Sequence, residues 1–204
     1  MFGILDYGAF AAAFVLLLFL PGPGNLALIS SASKGGLSGG LASVMGLLLG
    51  DQILLWLTVA GVAALLKTQP HLFMALQWLG AAYLAWLGYK MLTAKPGQGP
   101  SIQITPGHYF RETLLITLLN PKAIMFYFAF FPQFIDPMNH QGALTFAVMA
   151  LTIAVLGFAY CFGVVLITHF MAERIRANPR FTGFLQKGAG LCLIGFGLKM
   201  ALSK

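Results

Sequence analysis

The sequence predicts an all-α integral membrane protein: six transmembrane helices forming two inverted three-helix repeats, with helices 1 and 4 broken near the midplane. Three observations carry this. Of the 204 residues, 59% are apolar and 8% charged, whereas a soluble domain holds roughly 45–50% and 25%. Crossing ~30 Å of hydrocarbon takes ~20 mostly apolar residues, and six such spans lie near 8–32, 38–66, 70–92, 112–135, 142–170 and 183–202. The helix breakers recur: Leu20-Pro21 matches Asn120-Pro121 at an offset of 100, Gly40 and Gly61 match Gly142 and Gly163 at 102, Gly80-Ala81 matches Gly188-Ala189 at 108, and Lys90-Met91 matches Lys199-Met200 at 109. An odd number of helices per half forces the second half to insert upside down.

Span 1 follows a start without Lys or Arg, so residues 1–7 lack the positive region of a secretory signal. Pro21-Gly22-Pro23-Gly24-Asn25 falls about 13 residues into it. Two prolines remove backbone donors and two glycines loosen the remainder, so the helix breaks at membrane depth. Irregular backbone is tolerated there only against protein or a wet cavity. A cavity is therefore expected, with a proline kink satisfied by neighbouring helices as its competitor.

Span 2 carries Asp51, 13 residues from residue 38 and 15 from residue 66. A carboxylate at that depth costs at least ~2.5–3.5 kcal/mol and is kept where it binds a cation, carries a proton or pairs with a buried base. The bland competitor is a structural Asp51–Lys122 ion pair. Gly36, Gly40, Gly46 and Gly50 of the same segment permit close helix packing. Span 3 holds Trp78 and Trp86 among apolar residues, and a cytoplasmic linker over 94–111 joins the repeats 1–93 and 112–204 into one membrane domain.

Span 4 contains Asn120-Pro121-Lys122, a fresh helix start with Asn120 as N-cap and Pro121 at the first helical position. Gly22-Pro23 offers the same order in span 1. Two half-helices would then aim free N–H groups and positive dipole ends at the centre, which suits an anionic group. Lys122 either points into this site or snorkels to the cytoplasmic interface. Tyr127 and Phe130 fall near the break and are expected at the cavity, and Phe131-Pro132-Gln133 bends the far end of the span. Spans 5 and 6 contain Cys161 and Cys192, small hydrophobes without a redox or metal role.

The net charge of +7 is mainly topology. Lys34, Lys90, Lys95, Arg111, Arg174, Arg176, Arg180 and Lys187 fall on one side and Lys67, Lys199 and Lys204 on the other. The first group belongs in the cytoplasm, which puts both termini outside. Nucleic-acid binding by a basic domain demands more charge than 8%. His71, His108, His140 and His169 lack metal-ligand spacing, no phosphate-cradling loop is present, and no span supplies a nucleophile with its base. No cofactor and no enzyme activity are expected. A metal-efflux or ion-conducting protein is the alternative, but it needs several converging acidic, His or Cys side chains, and Asp51 is the only acid deep in a span.

Pro21-Gly-Pro-Gly-Asn25, Gly35 with Gly39/Gly40, Gly50-Asp51, Leu119-Asn-Pro-Lys-Ala-Ile124 and Phe130-Phe-Pro-Gln-Phe-Ile-Asp136 together resemble the LysE/RhtB family of amino-acid exporters, nearest its leucine and neutral amino-acid branch. The likeness covers nearly the whole chain. Gly24 departs from the many members in which the asparagine directly follows the second proline. The resemblance implies export of an amino acid, driven by protons, across a bacterial inner membrane. The expected site comprises Pro21, Gly22, Pro23, Gly24, Asn25, Asp51, Asn120, Pro121, Lys122 and Tyr127. The carboxylate of the substrate would meet the half-helix N-termini with Asn25 and Asn120 as amide partners, and Asp51 would take the ammonium or the antiported proton. Amino acid, protons and lipid bilayer are the expected partners, and the small, glycine-rich chain is compatible with a homodimer.

Overall fold

The computed structural model describes residues 2–20, 22–68, 102, 104–136 and 142–175, with Trp78, Ala82, Trp86 and Tyr89 as single helical positions. Apart from those four positions, span 3 of the sequence analysis lies outside these residues, as do span 6, the later repeat matches and Pro21.

Helix α1 (Tyr7–Phe19) starts where the Asp6 side chain accepts from Ala9 N at 2.9 Å, an N-cap that satisfies a donor the helix leaves open. It stops because Leu20 precedes a proline, which disfavours helical backbone at the residue before it. Leu20 is extended, with ψ 118°. Helix α2 (Pro23–Thr68) restarts at once with Pro23 at its first position and the Gly22 carbonyl accepting from Leu26 N. The expected interruption of span 1 is therefore present, at the expected residues.

Within α2 the chain reverses at Gly36, whose φ of 59° and ψ of −150° belong to a region that essentially only glycine occupies. The arms 23–35 and 37–68 lie side by side: the Ser43 and Ser31 hydroxyls meet at 2.6 Å across twelve residues of sequence. Gly36 is thus the hairpin turn rather than one of the packing glycines. Gly46 and Gly50 do serve close packing. A Cβ at Gly46 would collide with the Phe110 carbonyl, and one at Gly50 would lie 2.8 Å from Thr117 of the next helix.

Helix α3 (Tyr109–Leu118) begins a little before the expected span and ends at the second break, where Asn120 is extended (ψ 110°) for the same pre-proline reason. Helix α4 (Pro121–Met125) continues through a π turn over Phe126–Phe130 and a 3-10 turn over Phe131–Phe134. The two parts of this segment bend by 49°. Helix α5 (Ala143–Ile175) is apolar and continuous, and Ala143–Phe170 is long enough to cross a bilayer.

Contacts at the two ends fix direction. At one end, Leu5 N donates to Phe134 O at 2.9 Å, Asp136 N to Gly3 O at 3.0 Å, and Thr145 to the Phe2 carbonyl at 2.7 Å. At the other end, Lys34 donates to the Ile104 carbonyl at 2.9 Å, and Gly35 and Gly36 face Tyr109 and His169. The two broken segments consequently run antiparallel. One apolar cluster, including Phe10, Phe14, Phe126 and Phe131, binds α1 to the second broken segment and α5. A second, with Leu28, Val44, Leu47 and Val165, binds the α2 hairpin to α5. Leu119, Leu151 and Phe170 remain exposed, as apolar residues do at a lipid boundary.

Candidate functional site

A cavity of about 40 Å³ lies between the two apolar clusters, at the level of both breaks. Gly24, Asn25, Asp51, Asn120 and Lys122 all line it. Sequence positions nearly a hundred residues apart are brought together because the segments carrying the breaks cross there in opposite directions. Volume of this order holds a few waters. An amino acid can enter only if the surrounding helices part.

Each side chain reaches the cavity by a local device. Asn120 caps α4 by accepting from Lys122 N at 3.1 Å, while its carbonyl accepts from Ile124 N at 3.0 Å. The cap geometry read from Asn-Pro is therefore present. Among the described residues the Asn120 amide nitrogen has no acceptor, which leaves it available to the cavity. Asp51, only 6% exposed, is set on the second arm of the hairpin one residue beyond Gly50. Because Gly50 lets that arm approach Thr117 closely, the carboxylate and the second break share one wall.

Lys122 points inward rather than toward the interface. Its ammonium donates to the carbonyls of Leu17 at 3.2 Å and Leu20 at 2.9 Å, two groups at the end of α1 where the i+4 bonding pattern has stopped; Leu17 O also accepts from Leu20 N at 3.2 Å. It fits against Gly22, where an added Cβ would come within 3.2 Å of Nζ. Lys122 and Asp51 interact electrostatically, but among the described residues no direct ion pair joins them. The structural pair weighed as the bland alternative is not formed.

Asn25 lines the cavity, yet its amide donors are already engaged. Nδ2 donates to Leu18 O at 2.9 Å and Leu20 O at 3.1 Å, and approaches the Tyr160 hydroxyl at 3.2 Å. The side chain ties the restarted helix to the end of α1. Tyr127 is fully buried in the apolar cluster behind the wall. Its hydroxyl is directed toward Asp51 but closes no hydrogen bond. Pro23 and Pro121 begin the restarted helices, and Pro121 is exposed rather than on the cavity wall.

Sequence reasoning missed Phe14, Leu17, Leu18, Leu47 and Thr117 on the wall, and Tyr160 as a partner of Asn25. The apolar ones carry no signal that separates lining from packing. Thr117 could have been suspected three residues before Asn120. Tyr160 lies in another span, and only the packing of α5 reveals it. Among the described residues, no group of three His, Cys, Asp or Glu side chains could hold a metal ion.

Comparison with known proteins adds an independent line. Residues 15–204 match the family described as LysE type translocator. The chain is 33% identical to a leucine efflux protein of Klebsiella pneumoniae subsp. pneumoniae over 98% of its own length and 96% of the relative's. It is similar in the same degree to a leucine efflux protein of Salmonella choleraesuis, again 33% over 98% and 96%. An uncharacterized membrane protein of Pseudomonas aeruginosa is 34% identical over 98% and 96%. No solved structure matches the chain.

Proposed function

The chain belongs to the LysE type translocator family, and from that premise we propose that it exports a neutral, aliphatic amino acid such as leucine across the bacterial inner membrane by proton antiport. Amino-acid export is supported by the leucine efflux relatives, which match the chain over nearly its full length. The observation that carries the mechanism is a cavity at the junction of two antiparallel helix breaks, lined by Asp51, Asn120 and Lys122.

The chemistry follows from those groups. A zwitterion entering between the halves meets the free amide of Asn120 and the ammonium of Lys122 with its carboxylate, at the start of a helix whose dipole favours negative charge. Asp51 receives either the substrate ammonium or a proton. One carboxylate cannot bind both, so occupation by one expels the other and links their movements in opposite directions. Phe14, Leu17, Leu18 and Leu47 make the rest of the wall apolar, which suits an aliphatic side chain. Rocking of the half 1–93 against the half 112–204 would expose the cavity to each side in turn, with both termini outside.

The test is transport in proteoliposomes under an imposed pH gradient. Asp51→Asn abolishes gradient-driven leucine movement while the protein stays folded. Undiminished movement removes Asp51 from the mechanism.

A further inference from the structure

We propose that Lys122 is a displaceable internal cation, which makes occupation of the site conditional on a guest that carries both a carboxylate and an ammonium group. This rests on the export of an amino acid argued above and specifies how that site recognises its substrate.

The end of α1 is built to hold an ammonium. Among the described residues its break leaves the Leu20 carbonyl without a backbone donor and the Leu17 carbonyl with only the Leu20 N–H at 3.2 Å, at a depth where under-satisfied carbonyls are disfavoured, and the C-terminal dipole of a 13-residue helix adds negative potential. Lys122 fills that place with its own –NH₃⁺, at 3.2 and 2.9 Å. It has three donors and two of them are engaged here. Gly22 provides the room, and the stem reaches from a different broken helix, so the ammonium can leave without unfolding either one.

The groups around it set what can draw it away. Asp51 from the second arm of α2 and Cys161 from α5 act on it electrostatically, and Asn25 from the first turn of α2 shares the cavity wall and the Leu20 carbonyl with it. A guest carboxylate in the cavity attracts Lys122 off the α1 carbonyls. Leu17 and Leu20 are then free to accept from the guest's ammonium, with Asp51 across the cavity. One ammonium replaces another on the same acceptors. A bare amine reaches Asp51 alone, finds the two carbonyls occupied and offers nothing to draw Lys122 from them. A bare carboxylate draws Lys122 away and leaves the two carbonyls without a charged donor, with only the neutral Leu20 N–H and Asn25 amide at 3.2 and 3.1 Å. Each half-molecule is therefore rejected for its own reason.

The test uses the purified full-length protein and measures binding of leucine, isopentylamine and 4-methylpentanoate, which share the side chain and differ in the charged ends. Wild type binds leucine at least about tenfold more tightly than either half-molecule, since each forfeits charge-assisted hydrogen bonds. High acetate tightens isopentylamine binding to wild type, because it supplies the missing carboxylate. In Lys122→Met, isopentylamine binds without acetate and leucine loses its advantage. Equal binding of isopentylamine and leucine to wild type, or no effect of acetate, overturns the proposal whether or not the variant folds. A folded Lys122→Met with the preference for leucine unchanged overturns it too. Failure of leucine to bind while acetate still promotes amine binding would sink the choice of substrate and leave the exchange standing.

Discussion

Asn25 separates a structural tie from a substrate contact. Replacing it with alanine removes the donor shared by Leu18 O, Leu20 O and the Tyr160 hydroxyl. Leu20 O keeps Lys122 at 2.9 Å, and the Tyr160 hydroxyl can rotate toward another partner. Leu18 O is the group left bare, and an unsatisfied buried carbonyl costs ~1–3 kcal/mol. For a chain of this size, that lowers Tm by roughly 2–4 °C per kcal/mol, hence a few to about ten degrees. Asn25→Asp should be worse than Asn25→Ala, because a carboxylate cannot donate and its charge would face two carbonyl oxygens. The assay is thermal unfolding of the detergent-purified protein, followed by far-ultraviolet circular dichroism without ligand. If both variants unfold within a degree of wild type and only leucine affinity falls, Asn25 is a substrate ligand and its role as a tie is refuted.

Four further outcomes follow from the same geometry. Gly46→Leu forces the second arm of α2 away from the Phe110 carbonyl and should destabilise by ~1–3 kcal/mol or more, read as loss of monodisperse protein in gel filtration. Gly36→Ala places a side chain at φ 59°, ψ −150°, a strain of order 1–3 kcal/mol, and should lower Tm with little change in leucine Kd. Asn120→Ala loses an N-cap worth ~1 kcal/mol and a carboxylate donor, so it should weaken leucine binding beyond its effect on stability; intact affinity would refute the carboxylate pocket. With Asp51→Asn the pH dependence of leucine counterflow should flatten, since the group proposed to exchange protons is gone; an unaltered profile would place proton coupling elsewhere.

Much of the site was legible because its signals are chemically expensive. A carboxylate in the hydrocarbon, a doubled Pro-Gly interruption and Asn-Pro inside a span are each tolerated at membrane depth only for a reason, and Gly24, Asn25, Asp51, Asn120 and Lys122 all reached the same cavity. The use made of a polar group was less legible. Asn25 and Lys122 were read as partners for a guest, yet in this conformation they satisfy the carbonyls that the break in α1 exposes. A linear pattern marks where a helix ends but not which distant donor reaches its unpaired groups.

Composition, span length and proline placement determined by themselves that the chain is a membrane protein of broken helices, because hydrocarbon penalises charge and unpaired backbone regardless of neighbours. Tertiary structure alone decided that the two breaks touch, that Gly36 folds α2 back on itself, and that Lys122 of the second broken segment closes the end of α1 in the first. Such choices depend on which side chains can reach across the packed interface, and only the antiparallel crossing of the segments sets those distances.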